Sequence, residues 1–163
     1  MNVESGHPGV RVLLCGERTR GDDGAALLAA EMLPQDALAL AEVVEVGQLS
    51  LEALIDIPEG MAVIVADAAV GIAAGTVIVM PLERVARSSG IGAAPASSHG
   101  LAPDQVLALA EQMRGSLPRG VFVGIGGAEF GFGDGLSPAV AHGLPAFAAT
   151  LADEIRRLAT DKR

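Results

Sequence analysis

Short apolar runs separated by polar, glycine-rich joints set the pattern of this chain. Residues 10–15 (VRVLLC) form an apolar run closed by Gly16, which predicts a first strand. The loop at 16–24 (GERTRGDDG) follows, and 25–33 (AALLAAEML) is helical by composition, stopped at Pro34. Residues 41–46 (AEVVEV), closed by Gly47, predict a second strand. Ser50 is placed to cap a short helix reaching Asp56, with Leu51, Leu54 and Ile55 at helical spacing.

The run at 61–80 (MAVIVADAAVGIAAGTVIVM) is long enough to cross a bilayer. Asp67 inside it, Gly71, Gly75 and the Val/Ile-rich flanks predict instead two buried strands, 61–66 and 76–80, around a short loop. On that reading Asp67 lies at the end of the third strand. Continuously apolar strands are what a parallel sheet covered on both faces requires. Residues 86–100 are small and polar and predict a long loop. Pro103 and Asp104 open a helix to Arg114, 121–125 is a fifth strand, and 126–135 (GGAEFGFGDG) is a glycine-rich loop. A last helix runs from Ser137-Pro138 to Leu158, with Pro145 a point of kinking or division. Strands alternating with helices predict a single α/β domain over 10–160, behind a loose tail at 1–9. Its mostly parallel, twisted central sheet has about five strands, with helices on both faces.

Composition narrows the function classes. At 163 residues the chain is the size of one domain. Eleven basic against 20 acidic residues give a net charge of −9, which repels phosphate backbones, and 2% aromatic content leaves no stacking platform for bases. Nucleic acid is excluded as a partner. One cysteine, Cys15, can make neither an internal disulfide nor a cysteine-based zinc knuckle, and it reads as buried and inert at a strand end. The polar start MNVESGHPGV has no apolar signal core, so a cytoplasmic protein without membrane insertion is expected.

In open α/β sheets, ligands gather beyond the carboxyl ends of the strands. Asp22 and Asp23 follow the first strand, Asp67 closes the third, and His99 sits in the long loop after the fourth. Each has an ordinary reading: the aspartates as helix or loop caps, His99 as a solvated loop residue. His7, in the tail, and His142, on the last helix, are weaker candidates. One imidazole and two carboxylates would suit zinc, nickel, iron or manganese without choosing among them. No HExxH or GxSxG motif is present, and the first loop lacks the Lys-Ser/Thr ending of a phosphate cradle.

Taken in order, GERTRGDDGAALLAAEML, VADAAVGIAAGTV, SSHGL and GFGDGLSPAV make the chain, over roughly residues 10–155, resemble the hydrogenase maturation proteases. These endopeptidases trim the large subunit of [NiFe]-hydrogenases. The resemblance implies a small α/β fold and removal of a C-terminal extension from the large-subunit precursor after nickel insertion. It also implies recognition of the nickel carried by that substrate through Asp23, Asp67 and His99, with no permanent metal in the protein. Asp22 matches the acid preceding the first of these and is a candidate general base. The chain departs from the family pattern where Glu17 replaces an asparagine, Arg18, Thr19 and Arg20 replace apolar loop residues, and Ala26 replaces a glycine. In GGAEFG a proline is missing and the acid moves to Glu129. A nickel-sensing chaperone that does not cut, or a metal-dependent hydrolase of small molecules, would be compatible with the same residues.

Overall fold

The computed structural model describes residues 8–88, 101–133 and 135–161. Five strands form one sheet: β1 (Val10–Cys15), β2 (Ala41–Gly47), β3 (Ala62–Ala69), β4 (Val77–Pro81) and β5 (Gly120–Gly126). Their order across the sheet is β2-β1-β3-β5-β4, all parallel except β4, which runs antiparallel to β5. The helices are α1 (Ala25–Ala30), α2 (Gln35–Leu38), α3 (Leu51–Ile55), α4 (Leu82–Arg87), α5 (Pro103–Arg114) and α6 (Pro138–Thr160).

Strand alternation explains the two cores. Val12, Leu14, Ile64, Ala66 and Val123 project to one face, where Leu27 of α1 and Phe147, Leu151 and Ile155 of α6 cover them. Leu13, Val63, Val65 and Phe122 project to the other, under Leu54 of α3, Val85 of α4 and Leu107 of α5. Because both faces are covered, all eight residues of β3 are buried, which accounts for the first half of the membrane-like run. No described helix is long and apolar enough to cross a membrane.

Five sequence expectations are revised. The second of the two strands expected to be buried, β4, lies at the sheet edge and has no buried residue. The helix expected over 25–33 ends at Ala30; after a turn, Pro34 leads into the separate helix α2, four residues that were not anticipated. Residues 86 and 87, assigned to the long loop, belong to α4. Pro145 lies inside a continuous α6 and does not divide it. The third strand extends to Ala69, because Asp67, Ala68 and Ala69 go on pairing with Gly124, Ile125 and Gly126 of β5. Asp67 is therefore inside a central strand, not in a loop after it. Residues 1–7 of the tail, with His7, and residues 89–100 of the long loop, with His99, lie outside the described residues.

Candidate functional site

The sheet order places the site. From β1 the chain winds outward to β2, then returns past β1 to β3, so the winding direction reverses between β1 and β3. In open α/β sheets such a reversal is where ligands bind, beyond the carboxyl ends of the strands. Asp22 and Asp23 lie in a 3₁₀ turn, Gly21–Gly24, that follows β1 and packs against β3. Asp67 comes from β3 itself. The topology thus brings to one rim residues that are 44 or more positions apart in sequence, counting from Asp23 to Asp67.

Gly16 makes the approach possible. Its φ of +116° is a conformation that side chains rarely adopt, and a Cβ there would stand 1.8 Å from the backbone oxygen of Asp23. The loop can therefore fold straight back over the end of β1. Asp23 ends up 3% exposed, with one carboxylate oxygen accepting the Glu17 N–H at 3.0 Å. Burial raises its pKa against the opposing pull of the Glu17 amide and the Arg20 charge.

Asp67 is 5% exposed, and among the described residues its Oδ1 has no hydrogen-bond partner. Alternation puts its side chain on the same face as Val63 and Val65, in the layer that also holds Cys15 at the end of β1. Burial raises its pKa well above the usual carboxylate range, and the nearby Asp23 charge raises it further, opposed only by the Ala68 amide. Cys15, buried as anticipated, has its thiol pushed up by burial and by both carboxylates, which keeps it protonated and unreactive. Two buried acids that are costly to ionise side by side form a site where a cation would favour their charged forms. Among the described residues no group of three His, Cys, Asp or Glu could hold a metal by itself.

Asp22 behaves differently from its neighbour. It is fully buried, and its carboxylate accepts four hydrogen bonds: from the amides of Ala128 (2.8 Å), Glu129 (2.9 Å) and Ser137 (2.7 Å), and from the Ser137 hydroxyl (2.8 Å). Burial alone would raise its pKa, but these donors outweigh it and hold the carboxyl below its ordinary value. A carboxylate so saturated is a poor proton acceptor, so the role of general base suggested for Asp22 is withdrawn. Ser137, read from sequence only as a helix start, is a polar member of this core that was missed; the Ser-Pro pair marked the helix but not its partner.

The departures from the family pattern fall where backbone does the work. Glu17 and Glu129 contact the aspartates through main-chain groups, Glu129 also through its carbonyl, which accepts the Asp22 N–H at 2.8 Å. Ala26 is fully buried in the core beneath α1, where its methyl group is accommodated. Thr19 and Gly21 exchange backbone hydrogen bonds with Gly133, so the first loop is zipped to the loop after β5. On that loop Phe132 is 86% exposed, with the Arg20 guanidinium 5.1 Å from its ring centre. His142 is exposed on α6 and takes no part in the rim.

Three solved structures bear on this geometry. The hydrogenase maturating endopeptidase HybD from E. coli superposes with a TM-score of 0.70 at 22% identity, covering 91% of this chain and 92% of that one. The fold is that of the hydrogenase maturation proteases. The [NiFe] hydrogenase maturation protease HycI from Thermococcus kodakarensis KOD1 gives 0.66 at 21% identity, covering 94% and 96%. HybD from Thermococcus kodakarensis gives 0.61 at 23%, covering 93% and 99%. No family model and no curated protein matches the chain in sequence. The α/β fold expected from the alternating pattern and from the resemblance is therefore the fold observed, with a sheet of five strands.

Proposed function

We propose that this protein is a peptidase of hydrogenase maturation, removing a C-terminal extension from a [NiFe]-hydrogenase large-subunit precursor that already carries nickel. The observation that carries the reading is the buried carboxylate of Asp67, whose Oδ1 has no partner among the described residues, near Asp23 at the carboxyl ends of β1 and β3 in a fold shared with named maturation proteases. Such a pair is strained without a cation and relieved by one. Nickel arriving on the substrate supplies that cation, and Asp23, Asp67 and His99 are the ligands assigned to it. A neutral imidazole and two ionised carboxylates are suitable donors for a divalent ion, and ligation drives their protons off.

The function of the ion in this reading is placement. Held at once by the precursor and by the rim, it fixes the scissile peptide relative to the protease, and it can polarise a carbonyl or a water there. A precursor without nickel loses this anchor and stays uncut. The nickel is substrate cargo, and a permanent metal is not assigned.

The test is mass spectrometry of nickel-loaded precursor incubated with substoichiometric protein. Loss of the extension by wild type, with none by Asp23→Asn, Asp67→Asn or His99→Ala, is expected. Normal processing by any two of these variants would refute the ligand assignment. Binding without a mass change would instead leave a nickel-sensing chaperone, and tightly held metal in the purified protein would favour a small-molecule hydrolase.

A further inference from the structure

We propose that Asp22 is the positioning residue of this rim, acting through Asp23, and that Ser137 is its working partner. The inference rests on the assignment of Asp23 to the substrate's nickel. Asp22 itself is sealed from any macromolecular substrate, since it is fully buried and both its oxygens are occupied by protein donors. What it holds is the neighbouring backbone. Asp22 and Asp23 are consecutive in a four-residue turn, so the plane of one peptide sets the direction of the next side chain.

Asp23 has little else to fix it. Among the described residues its carboxylate has a single hydrogen bond, from the Glu17 amide, and its own N–H reaches the Arg20 carbonyl at 3.2 Å. Asp22, in contrast, is gripped from both sides. Its N–H donates to Glu129, and its carboxylate collects the amides at 128 and 129 together with the first residue of the α6 approach. Ser137 stands at the N-cap of α6, where a serine hydroxyl ordinarily accepts from its own helix. Here it makes no such bond and donates to Asp22 instead. The hydroxyl's capping role has been given over to a residue 115 positions away, which makes the long helix α6 the fixed reference for the turn that presents Asp23.

Amide exchange on the full chain, followed residue by residue by NMR, tests this without any precursor. In Ser137→Ala, protection of the Glu17 amide, the donor to Asp23, should fall about fivefold, as loss of one such hydrogen bond predicts. Asp22→Asn should lower it further, while β3 and α5 amides exchange as in wild type and Ser137→Thr, which keeps the hydroxyl, restores protection. Unchanged Glu17 protection in Ser137→Ala would overturn the proposal, and so would a uniform loss that includes β3, since that is global destabilisation only. With nickel-loaded precursor, the cleavage rate of Ser137→Ala should fall and that of Ser137→Thr recover. If wild type fails to cut, the proposed function fails, and the exchange pattern still decides the role of Asp22.

Discussion

Replacing Asp67 by asparagine should make the protein more stable while disabling it. Asp67 is 5% exposed inside a central strand, with Oδ1 unpartnered among the described residues and the Asp23 charge nearby. Each tenfold weakening of a carboxyl on folding costs the native state about 1.4 kcal/mol once that carboxyl ionises. Asparagine keeps the shape and cannot ionise, so a gain of about that size or more is expected above the raised pKa, corresponding to about 2–4 °C in Tm per kcal/mol at this chain length. The gain should depend on pH. With the folded pKa raised, the native state keeps a proton that the unfolded chain has already released. Wild-type stability therefore falls as pH rises from the ordinary carboxylate range through the raised value. The advantage of Asp67→Asn should be small near pH 4 and larger at neutral pH. It should shrink in an Asp23→Asn background, because part of the strain is shared between contacting charges. Differential scanning calorimetry of the four proteins, at pH 4 and pH 7, measures all of this. A lower Tm for Asp67→Asn at pH 7 would refute the reasoning that this carboxylate is held against its own stability, and with it the basis for a cation at the rim.

Other expectations follow from the same geometry. Gly16→Ala should unfold the first loop or prevent soluble expression, since the added methyl group meets the Asp23 carbonyl and the φ of +116° disfavours any side chain; wild-type thermal unfolding would refute the close approach. Phe132→Ala should leave Tm within about 1 °C, because an exposed side chain away from the core contributes little to folding. If the zipped loops face the precursor, the same variant should weaken precursor binding several-fold in calorimetry, an exposed aromatic being a common anchor at interfaces.

Much of this architecture was legible along the chain. The apolar runs at 10–15, 61–66 and 121–125 located the central strands, because a sheet covered on both faces needs continuous apolar runs; the edge strands at 41–46 and 76–80 were located too, but they are only partly buried. Ser50 caps its helix as expected, accepting the Ala53 amide at 3.2 Å. What failed was local: four helical residues after Pro34 carry too weak a period to be seen, and β3 was cut short at its aspartate. An acid in a strand reads as a terminus by composition, yet pairing with β5 holds it there.

By itself, the order of residues determined the fold class, the candidate acids and the resemblance, since hydrophobic period and turn chemistry are local properties. Only the tertiary structure decided that Asp22 and Asp23, adjacent and alike in sequence, have opposite surroundings. One is saturated by donors from β5's loop and the start of α6, more than a hundred residues distant, and the other lies near Asp67 with, among the described residues, a single amide. That division depends on the reversal of winding between β1 and β3, which no local pattern encodes.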